Sequence, residues 1–257
     1  MPSWILAVGD ELLSGHVADG NSHWLARRLR RTPHPVTRIV VVPDEIGPIA
    51  SELMSAAAGP AERVFCCGGL GPTPDDRTMA GVARFLEVEL VQDEAVLERI
   101  RARARLRFEQ GRAQSPDPNP GTLKMALIPK SAEVLPNPVG GAPPLLVPLE
   151  GGAPARWLFV LPGVPAELQA IFQQVIEPHY LAGGGGRSYR EQYFAPVPES
   201  RFFPALTELE LTHPGVRFGS YPQPQGGVII RASAIGEEAL GAAFLELRRL
   251  FPEAFSD

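Results

Sequence analysis

The sequence predicts an α/β protein: a three-layer domain built on a mainly parallel sheet, followed by a small α+β domain. Two observations carry this. Short apolar runs alternate with helical segments from Ser3 to Ile176, the pattern of a parallel sheet with helices on its faces. Beyond the tetraglycine at 183–186, which reads as a linker, a β-α-β-β-α pattern follows. The expected domains are residues 1–182 and 187–257.

Taken in order, Ser3–Gly9 (SWILAVG) is predicted as a buried strand. A helix over Asn21–Arg31 is capped near Asp19–Asn21 and sets Trp24, Leu25 and Leu29 on one face. Val36–Val42 is predicted as a second buried strand, Pro48–Ala58 as a helix, Arg63–Cys67 as a third strand and Asp75–Phe85 as the next helix. Glu94–Glu109 forms a longer helix with Val96, Leu97, Ile100 and Ala104 at helical spacing. Its many arginines are read as a solvated outer face. Ser115–Gly121 is a loop; Val134–Pro136, Leu145–Leu149 and Trp157–Leu161 are strands; Pro162–Ile176 is a helix. In the second domain, strands are expected at Tyr189–Ala195, Val216–Tyr221 and Gly227–Ala234. Helices are expected at Glu199–Leu211 and Glu237–Leu250.

A net charge of −5 gives no general attraction to nucleic acid or acidic membranes. Two cysteines cannot make a disulfide framework. Cys66 and Cys67 are neighbours on a strand, so their side chains are expected on opposite faces as core thiols. The N-terminus lacks the basic region of a signal peptide, and no apolar run approaches a membrane span. A cytoplasmic protein is expected. The 28 prolines and 26 glycines suggest many tight turns and a stiffened chain. The five histidines show no metal-ligand spacing; of them only His16 lies near the candidate pocket.

The most informative stretch is CCGGLGPTPDD, Cys66–Asp76. A turn leading from a parallel strand into a helix is where α/β folds bind ligands. Gly68, Gly69 and Gly71 allow unusual backbone angles and close approach to the main chain. The following helix N-terminus suits a phosphate. The stretch matches neither a Walker loop nor a dinucleotide fingerprint, and a plain tight turn remains the competing reading. Asp75 or Asp76 could cap the helix, but two carboxylates exceed what capping needs. Beside a phosphate they call for a divalent ion between them, Mg²⁺ or Mn²⁺ by donor chemistry. Two other strand ends have similar composition: Gly9-Asp10-Glu11 followed by Asp19 and Asn21, and Pro162-Gly163-Val164-Pro165-Ala166-Glu167. If their strands are neighbours, all three converge on one pocket.

Four segments, GDELLSG with Asp19 and Asn21, GGLGPTPDDRT, KMALIP with NPVG, and LPGVPAEL, resemble in order and spacing the competence-damage-inducible protein A (CinA) family. The resemblance spans roughly residues 3–180 and implies the molybdopterin-binding fold. HPGVRFGSYP and GVIIRASA resemble, less specifically, the small KH-like domain that follows it in such proteins. The family implies a ligand site at Gly68, Gly69, Gly71, Thr73, Asp75, Asp76 and Thr78, with Asp10, Glu11, Asp19, Asn21, Pro162, Gly163, Pro165 and Glu167 beside it. Lys124, one of only two lysines, falls where the family has a lysine and is expected to contact phosphate. Two departures stand out: Gly141 replaces the threonine of NPVGTAPG and Pro144 its last glycine; the asparagine expected before the lysine is also missing. The amidase domain of longer members has no counterpart, so deamidation is not expected.

The function this implies is metal-dependent hydrolysis of ADP-ribose to AMP and ribose 5-phosphate. Asp76 and Asp10 would hold Mg²⁺, Mn²⁺ or Co²⁺, with Asp75 assisting and Glu11 or Glu167 as base. The alternatives are molybdopterin binding with adenylyl transfer, and a non-catalytic nucleotide-binding module. A homodimer is expected from the family alone. Nucleic acid is not expected, since residues 187–257 carry seven arginines against nine acidic residues.

Overall fold

The computed structural model describes residues 2–150, 155–181, 186–195 and 197–255; the tetraglycine lies outside them except for Gly186. The chain divides into two compact units, Met1–Leu29 with His34–Ala182 and Arg30–Pro33 with Gly183–Asp257.

The first unit runs β1 (Ser3–Val8), α1 (Asp10–Leu13), α2 (Gly20–Leu29), β2 (Val36–Val42), α3 (Ile46–Ala58), β3 (Arg63–Cys67) and α4 (Thr78–Phe85). It continues with β4 (Leu90–Gln92), α5 (Glu94–Glu109), α6 (Pro120–Lys124), β5 (Leu127–Pro129), β6 (Glu133–Val134), β7 (Leu145–Leu149) and β8 (Arg156–Leu161). It ends in α7 (Pro165–Ile171), a π-helical turn (Phe172–Ile176) and α8 (Glu177–Tyr180). The six-stranded sheet has the order β2-β1-β3-β8-β7-β6. The first four strands are mutually parallel; β7 runs antiparallel to β8, and β6 antiparallel to β7. This is the mainly parallel three-layer architecture predicted.

The layers follow from side-chain alternation along the strands. On β3, Val64 and Cys66 join a core with Ile49 and Leu53 of α3 and Val82 of α4. Phe65 and Cys67 point the other way, into a core with Leu25 and Leu29 of α2 and Leu168 and Phe172. The two thiols therefore lie on opposite faces. Burial pushes Cys66 up to about 12 and Cys67 well above its ordinary value. Phe65 stacks on Phe159 at 5.2 Å between centroids. Each such fully buried ring contributes about 2 kcal/mol.

Four differences from the sequence reading have physical causes. The strand β2 is not buried: it lies at the sheet edge, and Ile39 is 48 % exposed. The helix α4 starts at Thr78, not Asp75, and neither aspartate caps it, because Thr78 N–H donates to Gly69 O at 3.2 Å. A short helix, α6, begins inside the expected 115–121 loop, where the Asn119 side chain accepts from Thr122 N–H at 2.8 Å and Pro120 takes the first turn. The antiparallel pair β4–β5 was too short to show a period.

In the second unit, β9 (Arg187–Phe194), α9 (Phe202–Thr212), β10 (Arg217–Pro222), β11 (Val228–Ile235) and α10 (Glu237–Leu250) form the β-α-β-β-α order. β11 is the central strand of an antiparallel sheet. Val228, Ile230, Ala232 and Ala234 alternate into a core with Phe202, Leu240 and Phe244. Among the described residues no helix is long and apolar enough to cross a membrane.

Candidate functional site: a cleft at the carboxyl ends of the parallel strands

Because β2, β1, β3 and β8 are parallel neighbours, their carboxyl ends open on one edge of the sheet. The three strand ends singled out in the sequence converge there, with a fourth, from β2. They surround a cleft of about 1520 Å³.

The β3 loop is folded tightly on itself. Gly68 has φ of +109°, and a Cβ there would overlap the Val8 carbonyl oxygen. Gly69, at φ +64°, abuts the Thr78 hydroxyl, which donates to Gly68 O at 2.8 Å. A Cβ at Gly71 would sit 2.6 Å from Asp76 Oδ2. The side-chain space of all three glycines is thus occupied by the protein's own atoms. What remains for a ligand is the main chain: among the described residues, the N–H groups of Gly69, Leu70 and Gly71 make no hydrogen bond. Consecutive free N–H groups at a strand–helix turn form an anion-binding concavity.

The two aspartates differ. Asp76 Oδ2 accepts from Thr73 N–H at 2.9 Å and from the Thr73 hydroxyl, closing the Pro72–Asp76 turn. Asp75 is fully exposed, and its pKa is held below the ordinary carboxylate value by the polar groups around it, the neighbouring Thr73 side chain first, then loop N–H groups and the Lys124 ammonium. Lys124 is not a wall of the cleft. Its Nζ donates to Asp76 O at 2.9 Å and to Thr73 O, bracing the turn. Thr73, Thr78 and Asp10 also stand outside the lining, whereas Gly68, Gly69, Gly71, Asp75 and Asp76 are in it.

At the β1 end, the Glu11 carboxylate folds back over Gly9, where a Cβ would lie 2.6 Å from Oε1. Asp19 caps α2 by accepting from Ser22 N–H at 2.9 Å. Asn21 donates to Gly163 O at 2.7 Å, joining α2 to the β8 end, and its buried Oδ1 has no partner among the described residues. At the β8 end, Pro162, Gly163 and Glu167 line the cleft. Glu167 accepts from Asn137 Nδ2 at 2.6 Å and packs on Gly140, so this carboxylate ties two loops together.

Asp44, after β2, escaped the sequence reading. Its Oδ2 accepts from Asp10 N–H at 2.9 Å. Burial raises its pKa; the Asp10 N–H opposes this, and the charges of Asp10, Glu11 and Asp75 raise it further. The only sequence signal was a proline–aspartate pair just past a strand. The carboxylates of Asp10, Glu11 and Asp75 thus add negative charge around Asp44. Among the described residues no three His, Cys, Asp or Glu side chains form a ready metal cage. The arrangement fits an ion of the Mg²⁺ type, which takes one or two carboxylates and completes its shell with water and substrate phosphates.

The facing wall is α5. Arg99, Arg103 and Arg107 line the cleft, so these arginines are more than the solvated outer face expected. Gly141, at the departure from the family threonine, lies against Arg103: its Cβ position is 3.7 Å from Nη1.

Residues 4–182 match the family model described as "Probable molybdopterin binding domain". A protein of Pyrobaculum aerophilum is 40 % identical over 224 residues, covering 86 % of this chain and 79 % of that protein. One from Thermococcus kodakarensis is 36 % identical, covering 95 % and 96 %. The crystal structure of the protein CinA, of unknown function, from Thermoplasma acidophilum superposes with a TM-score of 0.57 at 33 % identity, covering 69 % of this chain and 96 % of that one. The family model spans the whole sheet and every loop of the cleft, and the chain therefore belongs to the molybdopterin-binding domain family.

Proposed function

We propose that the cleft binds a nucleoside diphosphate compound, ADP-ribose in the first instance, and hydrolyses it to AMP and ribose 5-phosphate. The observation that carries this reading is the pairing of free N–H groups at Gly69–Gly71 with the Asp44 and Asp75 carboxylates lining the same cleft. The N–H groups take the diphosphate and stabilise charge on the phosphoryl group under attack. Asp44 and Asp75, which line the cleft, are the residues that would hold a divalent ion, in place of the Asp76–Asp10 pair expected from the sequence, because the Thr73 bonds tie Asp76 to the turn and Asp10 stands outside the lining. When bound, such an ion neutralises the diphosphate and makes phosphorus more electrophilic. Glu11 is the candidate base: it is exposed beside Gly9, whereas Glu167 is held by Asn137. Water adds to one phosphorus, its proton passes to Glu11, and the bridging oxygen leaves with the other phosphate. Lys124 and Thr73 act as positioning residues through the turn.

A second reading, molybdopterin binding, is favoured by the family match over residues 4–182. The same N–H groups would take the pterin's terminal phosphate, without hydrolysis. A cytoplasmic homodimer is the state we assign to either activity.

The test is incubation of the protein with ADP-ribose, ADP and NAD⁺ under Mg²⁺, Mn²⁺ or Co²⁺, with AMP measured by chromatography. AMP from ADP-ribose, reduced at least ~100-fold in Asp75→Asn with an unchanged melting temperature, is the expected result. No AMP under any metal, with a fluorescent pterin copurifying, would replace it with the second reading. Nucleotide bound without AMP release would leave a binding module.

A further inference from the structure

The α5 wall has properties that the hydrolytic reading does not use. Arg99, Arg103 and Arg107 recur every four residues, so they share one helix face, and that face lines the cleft. Among the described residues none of the three side chains makes a hydrogen bond or an ion pair. Three other exposed arginines are paired: Arg28 with Glu177 at 2.7 Å, Arg38 with Glu52 at 3.2 Å and Arg231 with Glu191 at 2.8 Å. On α5 itself, Arg105, off the cleft, is paired with Glu98 at 2.6 Å. The buried side of α5 is Val96, Leu97 and Ile100, packed with Ala126. The helix is therefore anchored through its first half, while Arg103 and Arg107 project from the second. From Arg99 to Arg107 the stripe extends about 12 Å at 1.5 Å per residue.

Unpaired guanidinium groups on one cleft wall, with carboxylates and free N–H groups at another, divide the site by charge. We infer that the α5 face carrying Arg99, Arg103 and Arg107 is a second anion subsite, which takes a phosphate group remote from the one on the glycine loop. Guanidinium groups grip phosphate oxygens in pairs, and three in a row suit a phosphate chain or a terminal phosphate rather than a single small anion. The preferred ligands are then compounds with phosphates at two separated positions. Gly141 lies beside the stripe: its Cβ position is in ordinary contact with the Arg103 guanidinium, at 3.7 Å from Nη1. The inference rests on the proposed reading only in placing the first phosphate on the glycine loop.

The test is calorimetric titration with inorganic tripolyphosphate, without metal and at constant ionic strength, for four forms of the full chain: wild type, Arg103→Gln/Arg107→Gln, Arg101→Gln/Arg105→Gln and Asp75→Asn. Arg101 and Arg105 remove the same charge from the same helix but do not line the cleft. The expected result is a loss of at least ~10-fold in affinity for the Arg103/Arg107 variant, with less than ~2-fold for the Arg101/Arg105 control. Asp75→Asn keeps or strengthens binding. Equal losses in both arginine variants, no loss in either, or no binding to wild type overturns the subsite. Failure of hydrolysis shows separately, as no AMP from ADP-ribose in wild type, because tripolyphosphate contains no nucleotide.

Discussion

At the amino ends of β3 and β8, two arginines are spent on the main chain. Arg156 donates to Ala56 O, Ala57 O, Gly59 O and Ala61 O at 2.8–3.1 Å. Arg63 donates to Glu62 O, Ala155 O and Tyr180 O. At the carboxyl ends of the same strands, Arg99, Arg103 and Arg107 face a cleft, and their side chains hold nothing among the described residues. Arg156 closes the carbonyl end of α3, whose last C=O groups have no partner within the helix, and Arg63 ties the start of β3 to Ala155 and Tyr180. The second set leaves its donors to something outside the chain. The same side chain thus serves as mortar at one end of the sheet and as an open hand at the other. The surrounding structure decides which: fixed carbonyls at hydrogen-bond distance, or a gap.

That contrast can be broken at several points. The largest stability effect is expected at the open end, from Gly68→Ala. The change forces a left-handed φ on alanine and drives its Cβ into the Val8 carbonyl, at a cost of about 4 kcal/mol in urea unfolding. Next comes the closed end: Arg156→Leu strands four carbonyls and should cost about 3 kcal/mol, with activity per folded molecule unchanged. Arg107→Gln, by contrast, should move stability by less than ~0.5 kcal/mol. Equal losses in the two arginine variants would refute the contrast.

The closed end also carries a pH response. His34, 3 % exposed, has its pKa lowered to about 4, mainly by burial, then by Arg63 and the chain's amino terminus. Its folded pKa lies below the unfolded value of 6.5, so the fold favours neutral imidazole. The associated stability is complete above pH 6.5 and is lost as pH falls toward 4. At pH 5 the loss relative to pH 7 should be about 1–2 kcal/mol, absent in His34→Gln, by parallel urea titrations. A small effect is also expected from Gly163→Ala. Its added Cβ meets only Gly68 Cα, at 3.4 Å, so the change should stay within ~1 kcal/mol. A large loss there would mean that the β8 end is packed as tightly as the β3 loop.

Much of the fold was legible because local chemistry and final environment agree. The strands β1, β3 and β8 are central, and their apolar runs say so. The strand β2 has an equally apolar sequence but lies at an edge; strand order is set by long-range pairing that no local run encodes. Asp75 and Asp76 looked like helix caps or a metal pair because sequence shows adjacency and not direction. Folding sends Asp76 back to Thr73 and leaves Asp75 outside. Asp44 carried no signal beyond one proline, since its partner Asp10 is remote in the chain. The α5 arginines were legible as exposed. Which of them meet the cleft depends on how the helix docks through Val96, Leu97 and Ile100, and that docking is tertiary.

The adjacent thiols of β3 give the molecule two internal clocks. Cys66 is sealed beneath α3 and α4, and Cys67 beneath α2 and the α7 segment. With both held protonated, neither reacts with an alkylating reagent until its own cover lifts. The order in which the two sulfurs become labelled therefore records which helical layer detaches first, read from neighbouring atoms in one peptide.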